Sequence, residues 1–328
     1  MGQGILFTSG INNINFELTA NMVVPSFVAA VPEYTGSNTF DFTAEEGGKL
    51  FFVPSNTIRV DNFSTSTIPN ITVLSSVSFS RIGNRTFRAT FVTDNRLNDG
   101  QQNPIRWPGQ IFQVQAKAPY GNEGIYVEDS TNYLAITDAT RVGTCLYSQD
   151  VYINGAWEIP QFAGFNRSNY MVFANWNNGS VTLTKEGNHV RCYNDVAGGT
   201  SNGAVTARIV IFGQGTQQPP IGGGICMYLP NNQIVFSSRY LPFVWDGRAV
   251  TPTWSAQQMG DVLVPLGVYG GRSDYASNTQ MKTGGIKMYN GNVMLGRAVG
   301  QASWPGNLGL VQVNSGTSLP ILPANKYR

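Results

Sequence analysis

A short strand–turn–strand unit occurs three times in this chain and leaves little room for anything but β structure. Gly4-Ile5-Leu6-Phe7 leads through Gly10-Ile11-Asn12-Asn13 to Ile14-x-Phe16. Gly124-Ile125-Tyr126-Val127 leads through Ser130-Thr131-Asn132-Tyr133 to Leu134-x-Ile136. Gly224-Ile225-Cys226-Met227 leads through Pro230-Asn231-Asn232-Gln233 to Ile234-x-Phe236, and no gaps are needed to align the copies. Side chains alternate across a strand, so residues two apart share a face. Ile14 with Phe16, Leu134 with Ile136, and Ile234 with Phe236 are therefore expected to face a core. Asn15, Ala135 and Val235 are expected to point away.

The rest of the chain has the same grammar. Val77 and Phe79, then Phe87, Ala89 and Phe91, fall at period two around Ile82-Gly83-Asn84-Arg85, which predicts a hairpin. Tyr170–Trp176 and Val181–Thr184 around Asn177–Ser180 predict a second, and Ile286–Tyr289 and Val293–Leu295 around Asn290-Gly291 a third. Asn-Gly suits the positive φ angles of a type I′ turn. Leu50–Val53, Ala204–Phe212 and Leu308–Val313 read as further strands. The one segment with helical character is Thr253–Met259, one or two turns after Pro252. The expectation is an all-β chain of tandem antiparallel β-sandwich-like domains.

Linker-like stretches precede the second and third copies: Lys117–Asn122, and Gly213-Gln214-Gly215-Thr216-Gln217-Gln218-Pro219-Pro220. They divide the 328 residues into three β domains, 1–117, 122–213 and 222–328, each near the usual size and opened by the same hairpin. The alternative is two domains split at Pro219-Pro220.

Charge narrows the partners. Charged residues make up 12% of the chain with a net charge of +2, and the basic residues form no stripe that could follow a phosphate backbone, so nucleic acid is not an expected partner. No run approaches the roughly 18 apolar residues of a membrane helix, and residues 1–5 lack the basic start of a secretion signal, so neither export nor membrane insertion is expected. Cys145, Cys192 and Cys226 are too scattered for a disulfide framework and are expected to stay reduced.

Catalytic chemistry finds few footholds. The single histidine, His189, is separated by three residues from Cys192, which on a strand puts the two on opposite faces; a pair with Cys145 or Cys226 is left open. One His and three isolated Cys do not make a zinc site. Asp94–Gly100 lacks the spacing of a calcium loop, because Arg96 stands where an oxygen ligand belongs. Glu45-Glu46, Glu128-Asp129 and Glu158 with Asp150 are the carboxylate pairs from which a glycosidase could be assembled. The Gly222–Gly224 and Tyr269–Arg272 segments have no following Lys-Ser/Thr and read as turns. The expectation is a protein with no enzyme activity, no catalytic residue, no cofactor and no metal. Trp157, Trp176, Trp245, Trp254 and Trp304 are expected mostly in cores or contacts, with one or two left to stack on a ligand.

The repeated Gly-Ile hairpins at Gly4, Gly124 and Gly224, set in an Asn/Ser/Thr-rich, weakly charged β chain, resemble those of small β-domain structural proteins of long-tailed bacteriophage virions, tail-tip and fibre-associated proteins in particular. That resemblance implies synthesis in the host cytoplasm, location in the virion, contacts with other virion proteins and a homo- or hetero-oligomer, with a trimer as the first expectation. It also implies that a peripheral domain meets a host-surface glycan or outer-membrane protein. A carbohydrate-binding or carbohydrate-cleaving β protein and a capsid-decorating protein are the alternatives. Exposed aromatics or a carboxylate pair across a cleft would favour the carbohydrate readings.

Overall fold

The computed structural model describes residues 4–10, 14–19, 23–61, 70–96, 104–114, 124–128, 133–137, 142–228, 232–275, 279–304 and 310–328. These form an all-β protein of several antiparallel sheets in sandwich-like layers. The helical content among them is two short 3-10 turns, Arg167–Asn169 and Ala324–Tyr327.

The first sandwich lies within residues 26–114. Ser26–Val31 and Lys49–Pro54 flank Gly109–Val114 in a three-stranded sheet. A four-stranded sheet ordered Thr39–Thr43, Thr86–Arg96, Asn70–Gly83 and Ile58–Asp61 packs against it. Phe52, Leu74, Phe91, Trp107 and Ile111 fill the space between. Phe52 meets Phe91 edge-on with ring centroids 5.3 Å apart, an arrangement that suits the ring quadrupoles. The expected hairpin closes through Asn84-Arg85, Arg85 taking φ 55°.

A second, larger sheet runs through residues 144–323 and folds over on itself. One half contains Thr144–Asn154, Ala204–Gly213, Met171–Asn175 and Val262–Pro265; the other contains His189–Asn194, Asn178–Glu186, Thr279–Tyr289 and Asn292–Trp304. The short strand Ala156–Glu158 pairs with both and joins them. Val172, Ile209 and Ile211 from one half pack against Leu183, Val190, Ile286 and Leu295 from the other. The strand partners cross the break expected at 213–222: Met171–Asn175 pairs with Val262–Pro265, and Asn178–Glu186 with Thr279–Tyr289. Residues on both sides of that break therefore share one sheet and one core.

Alternation explains how the layers stack. Val172 and Ala174 face the first half's partner, whereas Met171 and Phe173 point the other way, as do Val210 and Phe212. There they meet Phe112 of the three-stranded sheet, Phe243 and Tyr327. Residues 171–174 and 209–213 are thus buried on both faces, the situation in which a strand loses its polar alternation.

The three repeats are all antiparallel hairpins: Gly4–Thr8 with Asn15–Thr19, Gly124–Glu128 with Tyr133–Thr137, and Cys226–Tyr228 with Ile234–Ser237. Ile14, Phe16 and Leu18 are buried and Asn15 exposed, while Phe236 is buried and Ile234 half-buried. The side chains of Leu134, Ala135, Ile136 and Val235 lie outside the described residues. Phe7↔Phe16 in the first copy and Met227↔Phe236 in the third are equivalent pairs. In the second copy the equivalent of Phe16, Ile136, pairs with Ile125, a slip of two residues. An even slip keeps every side chain on its face. The copies also meet: Phe7 lies 5.8 Å from Phe16 and 6.1 Å from Phe236, and the second hairpin lies against Asn15–Thr19.

Two local expectations are corrected. Met171–Asn175 and Asn178–Glu186 are not partners, because Asn178–Glu186 turns instead through Gly187-Asn188, with Gly187 at φ 55°, to pair with His189–Asn194. Asn177–Ser180 carries the chain between the two halves of the sheet. Thr253–Met259 is not helical; Gln257–Gln258 forms a short strand on Asn292-Val293. The Asn290-Gly291 turn is as expected, with φ 49° and 73°. Leu308 and Gly309 lie outside the described residues, and the strand there is Gln312–Asn314.

Candidate functional site

An open groove of about 1070 Å³ lies between the first sandwich and the segment Gln214–Gln217. One wall comes from Ser26–Ala29 and Phe40–Glu45, the other from Gly164 and Gln214–Gln217, with Gln233 and Ile234 of the third hairpin at one end. The second wall is fixed by an antiparallel bridge between Phe165 and Gly215 and by Thr216 N–H donating to Gly164 O at 3.0 Å. Gly215 is required there, since a Cβ would collide with Gly164 O. Phe40 stacks on Phe42 at 6.3 Å, and the Arg106 guanidinium lies 5.4 Å from the Phe40 ring.

Its charged groups are matched. Asp41 accepts from Arg88 at 2.7 and 2.8 Å, and these bonds hold its carboxyl below the usual range. Glu45 is paired with Arg85. Gln113 is locked by reciprocal bonds to the Glu45 backbone, 3.0 Å from Glu45 N–H and 2.5 Å to Glu45 O. A general acid for glycoside hydrolysis needs a raised carboxyl pKa; Asp41 has the opposite. What remains is a groove of amides, hydroxyls and phenylalanine edges, suited to hold a neutral, hydroxyl-rich molecule.

The other sequence candidates lie apart from this groove. Glu46 pairs with Arg81, Glu158 with Arg167 at 2.7 Å, and Asp150 with Arg208 at 2.7 Å. The side chains of Glu128 and Asp129 lie outside the described residues, as does much of Asp94–Gly100. His189 is half-buried opposite Glu158 and Glu186, while Cys192 points into the core from the other face of the same strand. Desolvation pushes the Cys145 thiol up to about 12 and the Cys192 thiol up to about 11, so neither is a ready nucleophile. Among the described residues no cluster of three or more His, Cys, Asp or Glu could hold a metal. Gly270 and Gly271 are strand residues packed too closely for a Cβ.

Trp107 and Trp176 are buried, and Trp157, Trp245 and Trp254 are half-buried against cores. Trp245 packs 5.1 Å from Phe51, and Trp254 donates to Val313 O. The side chain of Trp304 lies outside the described residues. Among the described residues the exposed aromatics are tyrosines: Tyr34, Tyr152, Tyr228 and Tyr289.

Sequence reading missed a buried ionic network. Asp195 accepts from Lys287 at 2.6 Å and from Arg297 at 3.1 Å, and Arg297 also donates to Asp274 at 2.7 Å. Lys282, only 1% exposed, donates to Val196 O and Gly199 O. Burial alone would raise the Asp195 pKa, but its bonds to Lys287 and Arg297 outweigh this and lower it. The network pins the 195–199 segment to the 279–304 hairpin. Asp195 lies 92 residues from Lys287 and 102 from Arg297, so no spacing signals the network.

A model of a family of unknown function (DUF6453) matches residues 4–306, which include all three hairpins. No curated protein and no solved structure matches the chain.

Proposed function

The chain belongs to the DUF6453 family, and from that premise we propose that it is a non-catalytic structural protein of a bacteriophage virion, part of the tail tip or a fibre. The observation that carries this reading is the convergence of the repeated hairpins with apolar side chains left on the outside. Leu6 is 71% exposed, Ile225 38% and Tyr228 51%. Exposed apolar groups on short, open-edged hairpins are what a neighbouring subunit covers. The low charge supports the same reading, since little repulsion opposes lasting contact.

Light scattering on the purified chain, and locating a tagged chain in intact particles by microscopy, test the proposal. Assembly that is lost in Leu6→Lys and Tyr228→Lys supports it. A strict monomer that does not associate with particles refutes it.

The groove favours a second reading, recognition of a neutral host-surface glycan by the assembled protein. Its amides and its Phe40 edge match sugar hydroxyls and C–H faces. A glycan array with the wild type and Phe40→Ala tests it; no binding, or binding untouched by the substitution, refutes it.

A further inference from the structure

A separate cavity of about 430 Å³ lies where the three-stranded sheet of the first sandwich meets the larger sheet, and it shares no lining residue with the groove. Pro54, Pro108, Pro265, Tyr170 and Tyr269 contribute to its walls. Pro32 and Ser168 are exposed and form its mouth.

Two polar groups in this apolar setting lack partners. Gln110 is 7% exposed; its Nε2 donates to Asn169 O, but its Oε1 has no hydrogen-bond partner. The Lys185 ammonium has none among the described residues, and burial pushes its pKa down. Lys282 and Lys287, by contrast, are satisfied by carbonyls or by Asp195. A buried acceptor without a partner is costly, the half-buried Lys185 ammonium beside it has no counter-charge, and a ligand that supplies both complements removes that cost.

We propose that this cavity binds a small monocarboxylate carrying a hydroxyl or amide N–H within two carbons of its acid group. Lys185 meets the carboxylate and Gln110 Oε1 accepts from the neighbouring donor. A single ammonium matches a single negative charge, and the proline-lined walls supply no second cation for a phosphate dianion. The volume admits a three-carbon hydroxy acid or one acidic sugar ring. The ligand is thus either a free hydroxy acid or the acidic end residue of a glycan entering past Pro32 and Ser168.

Titration calorimetry on the full chain with glycerate, D-glucuronate and glucose tests this. Saturable binding of glycerate alone supports the site with a free acid as its ligand, and binding of glucuronate supports it with a sugar acid. Glucose should bind at least about tenfold more weakly than glucuronate, because it lacks the charge-assisted bond. Lys185→Met should weaken the acid at least about tenfold, and Gln110→Leu about fivefold. If Lys185→Met does not fold, the acid-against-glucose comparison and Gln110→Leu decide. Glucose binding as tightly as glucuronate, an affinity unchanged in a folded Lys185→Met, or no saturation by either acid below about 10 mM overturns the proposal.

Discussion

Removing the ring of Phe236 tests whether distant repeats build one core. Phe236 is 2% exposed and packs edge-on against Phe7, which also touches Phe16. Phe236→Ala forfeits about 2–3 kcal/mol of apolar transfer. The unfilled space adds to this, for a total of about 3–5 kcal/mol. Phe16→Ala should cost a similar amount, since Phe16 is 1% exposed and also contacts Tyr327 at 6.1 Å. Because both rings lean on Phe7, the double variant should depart from additivity by about 0.5–3 kcal/mol. Asn15→Ala, on the exposed face with a bond to Thr8, should cost less than about 0.5 kcal/mol. Guanidinium denaturation followed by tryptophan fluorescence gives all four values. Additive losses, or a Phe236→Ala cost no larger than that of Asn15→Ala, would refute a shared core.

Asp195→Asn should destabilise by about 3–5 kcal/mol, because Lys287 and Arg297 lose their buried counter-charge; denaturant midpoints check this. The lowered Asp195 pKa means its contribution is present above the unfolded carboxyl value of about 4 and is lost as pH falls through the folded value. Acid titration below pH of about 4 should therefore destabilise the wild type more than Asp195→Asn. With a thiol reagent at neutral pH, Cys226, the partly exposed cysteine, should react at once, and Cys145 and Cys192 only after denaturation; equal rates for all three would contradict the burial. Gly291→Val should cost about 1–2 kcal/mol, since φ is 73° and a Cβ would come 2.8 Å from Gln258 Nε2; thermal melting measures it.

What sequence could convey was local. Asn290-Gly291 specifies its own turn, and the Val77/Phe79 and Phe87/Phe91 alternation specifies a hairpin face, because both are settled by neighbours a few residues away. Asn177–Ser180 has the same composition but no hairpin, since Met171–Asn175 is recruited by Ala204–Gly213 and Val262–Pro265 from far along the chain. The coil at 214–225 looks like a linker and is mostly exposed, yet strands from both sides of it complete one sheet. The groove was not legible, because Phe40, Gln113 and Thr216 become neighbours only after the layers stack. Lys185 and Gln110, lying on different sheets, were hidden for the same reason.

The second core sets a schedule for the chain's own making. It needs Ile14 and Phe16 from one end of the described chain and Tyr327 from the other, where the tyrosine hydroxyl donates to Pro242 O and accepts from Val244 N–H at 2.9 Å each. A ribosome adding about 5–20 residues per second separates their emergence by about 15–60 s. During that interval Phe7, Phe16 and Phe173 have no complete core to enter. Over those seconds the nascent protein carries apolar strands uncovered, the state in which aggregation competes with folding.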